Sequence, residues 1–135
     1  MDWGLQDNMK DKLEHLLKNA YSPFYNFKVG CIVVMKDKKE FVGVNVENAN
    51  GTGICAERHA IGNAVANGYK KGDFEKLYIM FENGSFGTPC FSCRQVILEF
   101  FNKNDKVISV DKNGNEKIYT VEELCPYPFG VEDLK

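Results

Sequence analysis

The chain has 135 residues, 44% of them apolar and 27% charged, with a formal charge of −2 and a pI near 5.7. A chain of this length can bury about two thirds of its unfolded surface in one core, and the composition excludes disordered and fibrous classes. Its lysines are interleaved with acids, as in Lys36-Asp37-Lys38-Lys39-Glu40, so it lacks the basic footprint of a protein that grips a phosphate backbone.

No apolar run approaches the ~20 residues needed to span a bilayer, and Met1-Asp2-Trp3-Gly4 does not open a leader peptide. The expectation is a cytoplasmic protein, one domain over 1–135, with neither a membrane nor a nucleic-acid partner. Five cysteines at irregular spacing make a poor disulfide framework. Reduced thiols in such a protein point to metal or catalysis.

In chain order, Leu5, Met9, Leu13, Leu16, Leu17 and Ala20 recur at helical spacing and predict an amphipathic helix ending before Ser22-Pro23. Val29, Cys31, Val33 and Met35, then a Lys/Asp turn and Phe41-Val42-Gly43-Val44, predict a hairpin, with Cys31 as a small buried hydrophobe. Asn45 to Gly53 is a loop rich in Asn and Gly. Ile54, Ala60, Ile61, Ala64 and Val65 predict a helix from Ile54 to about Asn67, with Cys55 and Glu57 in its first turn.

Leu77 to Phe81 is a continuous apolar run, expected of a strand buried on both faces. After a loop from Glu82 to Thr88, Pro89 opens a helix whose buried face carries Val96, Ile97, Phe100 and Phe101, so that Cys90 and Cys93 also fall in a first turn. Strands around Val107–Val110 and Lys117–Tyr119 flank a turn at Asn113-Gly114, and Thr120 with Glu123 forms a capping box for a short last helix. Helices alternating with strands give an α/β layered domain.

The chemistry-bearing pattern is Cys55-Ala56-Glu57 followed by Pro89-Cys90-Phe91-Ser92-Cys93, with thirty-two residues separating Glu57 from Cys90. Helix N-termini lower the pKa of a cysteine through their free N–H groups and partial positive charge. Cys90 and Cys93 at i, i+3 share a face and can bite one ion. A lone C-x-x-C also suits a redox pair or a structural zinc site. Three thiol ligands with no fourth leave a tetrahedral position open for water, as catalytic zinc sites do. C-x-E at one helix start and P-C-x-x-C at another form the signature of zinc deaminases. Glu57 is then the acid/base, taking a proton from water and delivering it to the leaving amine, rather than a solvent-facing helix-start carboxylate. Three thiolates leave a divalent zinc site net negative, which opposes ionisation of water. Arg58, three residues after Cys55, is placed to withdraw that charge from the sulfurs.

Further blocks accompany this motif: Ala20-Tyr21-Ser22-Pro23, Asn26-Phe27-Lys28-Val29-Gly30, Asn45-Val46-Glu47-Asn48-Ala49, Cys93-Arg94-Gln95-Val96 and Phe129-Gly130-Val131-Glu132-Asp133-Leu134. With them the chain closely resembles the small homotetrameric cytidine deaminases, nearly end to end. The resemblance implies a three-layer α/β/α fold with a central mixed sheet flanked by helices, and one zinc ion per chain held by Cys55, Cys90 and Cys93. It implies hydrolysis of free cytidine and deoxycytidine to uridine and deoxyuridine, with release of ammonia, in pyrimidine salvage. It also implies that Phe27 stacks on the base, Asn45 and Glu47 hold ribose hydroxyls, Ala56 contacts substrate, and Phe129 reaches a neighbouring subunit's pocket in a homotetramer.

Two departures stand out. The family usually has one residue more between Glu47 and Cys55, with an aromatic where this chain has Asn50-Gly51-Thr52, and a small Gly-Ala pair where it has Phe91-Ser92. The first implies an altered sugar-side wall and leaves a blasticidin S deaminase, acting on a cytosine-like ring with a different sugar, as the alternative. A zinc-stabilised binding module without chemistry is disfavoured by Glu57 and by the missing fourth ligand.

Overall fold

The structure, a computed structural model, describes residues 8–135. Leu5, placed in the first helix by its spacing, lies outside them. Helix α1 spans Met9–Asn19 and is capped by Asn8, whose side chain accepts from Asp11 N at 3.0 Å. Strands β1 (Val29–Met35) and β2 (Glu40–Val44) form the expected hairpin, followed by α2 (Ala56–Ala66), β3 (Phe74–Phe81) and α3 (Phe91–Phe100). The chain continues through β4 (Lys106–Val110), β5 (Glu116–Thr120) and α4 (Val121–Leu124), and a 3-10 turn over Val131–Leu134 closes it.

The five strands make one mixed sheet in the order β2-β1-β3-β4-β5. Only β3 and β4 run parallel, and α3 provides the crossover that a parallel pair needs. Alternating side chains divide the strands between two cores. Ile32, Met80, Ile108 and Val110 meet Leu13 and Leu16 of α1 on one face. On the other, Cys31, Val33, Met35, Leu77, Ile79 and Val107 pack with Ala60, Ile61 and Ala64 of α2 and Ile97 of α3. The layers are therefore α/β/α, as the resemblance implies, with Cys31 a fully buried thiol.

Both thiol-bearing helices lie on the second face. Helix α2 approaches β2 so closely that a Cβ on Gly43 would stand 2.4 Å from both the Ala56 carbonyl oxygen and the Ala60 nitrogen. Only glycine admits that distance. Asn63 Nδ2 donates to Val42 O at 2.7 Å, and His59 Nδ1 lies 3.0 Å from Val44 O, so the helix is fastened along the strand. The helices start two positions later than expected, at Ala56 and Phe91 rather than Ile54 and Pro89. Ile54 pairs with Val46 in an isolated bridge, which makes Cys55 the N-cap of α2, and Cys90 is likewise the N-cap of α3.

Candidate active site

The N-cap position suits a metal ligand. Neither Cys55 nor Cys90 uses its side chain to cap its own helix, so each sulfur is free to face the other. Cys55 Sγ and Cys90 Sγ are 3.8 Å apart, and Cys90 Sγ and Cys93 Sγ 3.4 Å. A tetrahedral zinc with sulfur ligands at about 2.3 Å spaces them about 3.8 Å from one another. The three sulfurs therefore have the number, type and spacing for one Zn²⁺ ion, with the fourth position left to a non-protein ligand. Cys125 stands apart, its thiol 3.7 Å from Arg94 O, and Cys31 belongs to the core.

Charge is unevenly shared in this triad. The Cys55 thiol is drawn down to about 5, first by the hydrogen bond from Cys93 and then by Arg58 and Cys90, against the opposing effect of burial. Cys93 is pushed up in turn, by its bond to Cys55 and then by burial. These interactions favour the thiolate at Cys55 over that at Cys93. Arg58 Nη2 reaches Cys55 Sγ at 3.6 Å. Its Nε is the one buried side-chain polar atom without a hydrogen-bond partner among the described residues.

Glu57, one helical position beyond Ala56, is 4% exposed and borders a cavity of about 400 Å³ on whose wall Cys55 and Cys90 also lie. Burial pushes its carboxyl up to about 7; the charge on Cys55 adds to this, while its own backbone N–H pulls the other way. A carboxyl that titrates near neutrality can both take and return a proton.

Phe27, Asn45, Glu47 and Ala56 line the same cavity. Asn45 Nδ2 donates to Phe27 O at 2.8 Å, and its Oδ1 accepts from Val29 N at 2.8 Å. Glu47 accepts from the Ser22 hydroxyl through Oε2, and from the Phe24 and Tyr25 amides at 2.9 and 3.1 Å through Oε1. Burial raises its pKa, but these donors outweigh that and hold it below the ordinary value. Oε1 is thereby filled, while Oε2 retains a lone pair for a further donor.

Phe129 is not on this wall. Its carbonyl accepts from Gln95 Nε2 at 2.7 Å on the outer side of α3, and its ring is 59% exposed. The structure adds residues that spacing did not single out. Tyr25, Phe81 and Thr88 line the cavity. Arg94 clamps the segment before Cys90 through Pro89 O at 2.8 Å, Thr88 Oγ1 at 2.7 Å and Leu124 O at 3.0 Å. The position of Phe81, last in its strand and just ahead of the loop to the Cys90/Cys93 pair, was the available signal.

Residues 5–110 match the family described as "Cytidine and deoxycytidylate deaminase zinc-binding region". The cytidine deaminase of Mycoplasma genitalium is 38% identical over 119 residues, covering 87% of this chain and 90% of that protein. That of Halalkalibacterium halodurans is 35% identical over 118 residues, covering 87% and 88%. The crystal structure of cytidine deaminase from Burkholderia pseudomallei superposes with a TM-score of 0.81 at 36% identity, covering 87% of this chain and 93% of that one. The three clustered thiols and Glu57 all fall inside the matched zinc-binding region, and the chain belongs to the cytidine and deoxycytidylate deaminase family.

Proposed function

We propose that this protein is a zinc-dependent cytidine deaminase that hydrolyses the free nucleosides cytidine and deoxycytidine. The observation that carries the reading is Glu57, a buried carboxyl set between a three-sulfur cluster and an aromatic-walled cavity. Water adds its oxygen to C4 of the base, the C4–N4 bond breaks, and the products are uridine and ammonia. When bound to Cys55, Cys90 and Cys93, a zinc ion supplies Lewis-acid activation of water at neutral pH.

Glu57 is the catalytic proton carrier, taking a proton from the attacking water and returning one to the departing nitrogen. Phe27 stacks on the pyrimidine. Asn45 and Glu47 accept sugar hydroxyls with the lone pairs their internal bonds leave free. Glu47 carries its negative charge where a phosphate on the sugar would sit close by, which favours nucleoside over nucleotide or polynucleotide. Ala56 has no polar side-chain atom and serves through its main chain. Arg58 draws charge from the sulfurs and offsets the excess of thiolate over metal charge.

Residues 1–135 act as one domain in the cytoplasm, in pyrimidine salvage; among the described residues no helix is long and apolar enough to cross a membrane. The protein assembles as a homotetramer in which Phe129 enters a neighbour's cavity. Supporting that, the exposed Phe91, Tyr127 and Phe129 line one groove beside α3. The test is the fall in ultraviolet absorbance of cytidine on adding zinc-loaded protein, beside deoxycytidine, cytidine monophosphate and blasticidin S. Both nucleosides are expected to turn over. Turnover of blasticidin S alone, or of the monophosphate in preference to cytidine, overturns the substrate assignment.

A further inference from the structure

Phe27 projects from the loop before β1, and nothing in that loop's own sequence fixes the plane of its ring. The ring instead rests on Phe81, with centroids 5.7 Å apart and planes inclined by 28°. Phe81 is the last residue of β3 and pairs in register with Val29, two positions after Phe27. The main chains beside the two rings are locked together: Glu82 N donates to Lys28 O at 2.8 Å, and Lys28 N donates to Glu82 Oε2 at 2.7 Å. Phe81 is therefore held by a sheet strand on the side where Phe27 needs support.

A second contact sets the position of the Phe81 ring. Gly87 lies so close that a Cβ there would be 2.7 Å from Phe81 Cε2 and 3.0 Å from Cδ2. Gly87 cannot easily retreat, since its N–H donates to Ser109 Oγ at 3.1 Å and Ser109 is 1% exposed. The order of contacts runs from the buried Ser109, through Gly87 and Phe81, to Phe27 and the cavity.

We propose that Phe81 is a positioning residue for substrate selection: seated against Gly87, its ring fixes the plane of Phe27 and so the tilt at which a flat six-membered base is accepted. The proposal rests on the reading that Phe27 stacks on the base. An offset aromatic pair contributes about 0.5–1.5 kcal/mol beyond its burial, which corresponds to roughly twofold to tenfold in binding.

The experiment is steady-state kinetics with cytidine on zinc-loaded Phe81→Leu, Gly87→Ala, Phe27→Leu and the Phe27→Leu/Phe81→Leu double variant. Phe81→Leu and Gly87→Ala are each expected to raise KM by about threefold to tenfold with kcat within about twofold. Gly87→Ala achieves this by displacing the Phe81 ring without removing any aromatic side chain. In the Phe27→Leu background, Phe81→Leu is expected to add less than half of its own effect, because the ring it supports is already gone. An unchanged KM in Gly87→Ala, or full additivity in the double variant, overturns the proposal. If Phe81→Leu loses zinc, Gly87→Ala decides alone. An unchanged KM in Phe27→Leu removes the stacking reading itself, and the proposal with it.

Discussion

The two helix starts that present thiols are built in opposite ways. At α2 the start itself is held by close backbone packing, with Asn63 and His59 fastening the helix farther along: Gly43 admits the helix against β2, and Ala56 and Glu57 behind the thiol are 0% and 4% exposed. At α3 a side chain does it. Cys90 is exposed and Phe91 is 76% exposed, with its ring 4.3 Å from the guanidinium of Arg94, which also carries the three hydrogen bonds to the flanking segments. Glu57, the proposed proton carrier, sits on the start that is packed from behind, where its side chain is buried. The start that supplies the thiol pair faces outward and tolerates a bulky ring between its two ligands.

Three substitutions bear on that contrast. The largest effect is expected from Glu57→Gln, whose amide retains the shape but cannot carry a proton. Turnover should fall by about 10²–10⁴-fold with zinc content and circular dichroism unchanged. Activity within tenfold of the parent would assign proton transfer elsewhere and strip the packed start of its chemical role.

Next is Gly43→Ala. One methyl group must displace the α2 backbone, since its contacts at 2.4 Å are to main-chain atoms that have no rotamer to change. We expect a loss of about 1–3 kcal/mol in denaturant unfolding, and weaker zinc retention, because Cys55 moves with the helix. A variant as stable as the parent and fully zinc-loaded would show that α2 slides freely.

The smallest effect is expected from Arg94→Gln, which removes the clamp but leaves a side-chain amide able to donate to one of its three acceptors. Stability should fall by about 1 kcal/mol, and competition with a chelator should reveal faster zinc loss. A cost equal to that of Gly43→Ala would erase the distinction between the two starts.

Much of this was legible in one dimension. The hairpin, the buried β3 run and the Thr120–Glu123 capping box follow from periodicity and cap chemistry, which are local. Thr120 Oγ1 accepts from Glu123 N at 3.1 Å, and Glu123 Oε1 accepts from Thr120 N at 2.8 Å, as the spacing requires. Where the reading slipped, the cause is tertiary. Ile54 fits a helical pattern, but Val46 N and Ile54 N each bond the other's carbonyl, at 3.0 and 2.9 Å, and those bonds hold it extended. Phe81 was hidden inside an apolar run whose other members are core. The three acceptors of Arg94 lie at Thr88, Pro89 and Leu124, and no local pattern links the last of these to the first two.

Asn45 and Glu47 carry a consequence of their own. The same amide and carboxylate that are proposed to meet the sugar also tie down residues 22–29, where Phe27 sits. The conformational entropy of that loop is therefore given up when the chain folds, not when substrate arrives, so the cavity meets a nucleoside already pre-organised. With the proposed contacts, one connected piece of backbone would sense both sugar and base. A free base, arriving without a sugar, would find the ring in place but would leave those two polar groups to water.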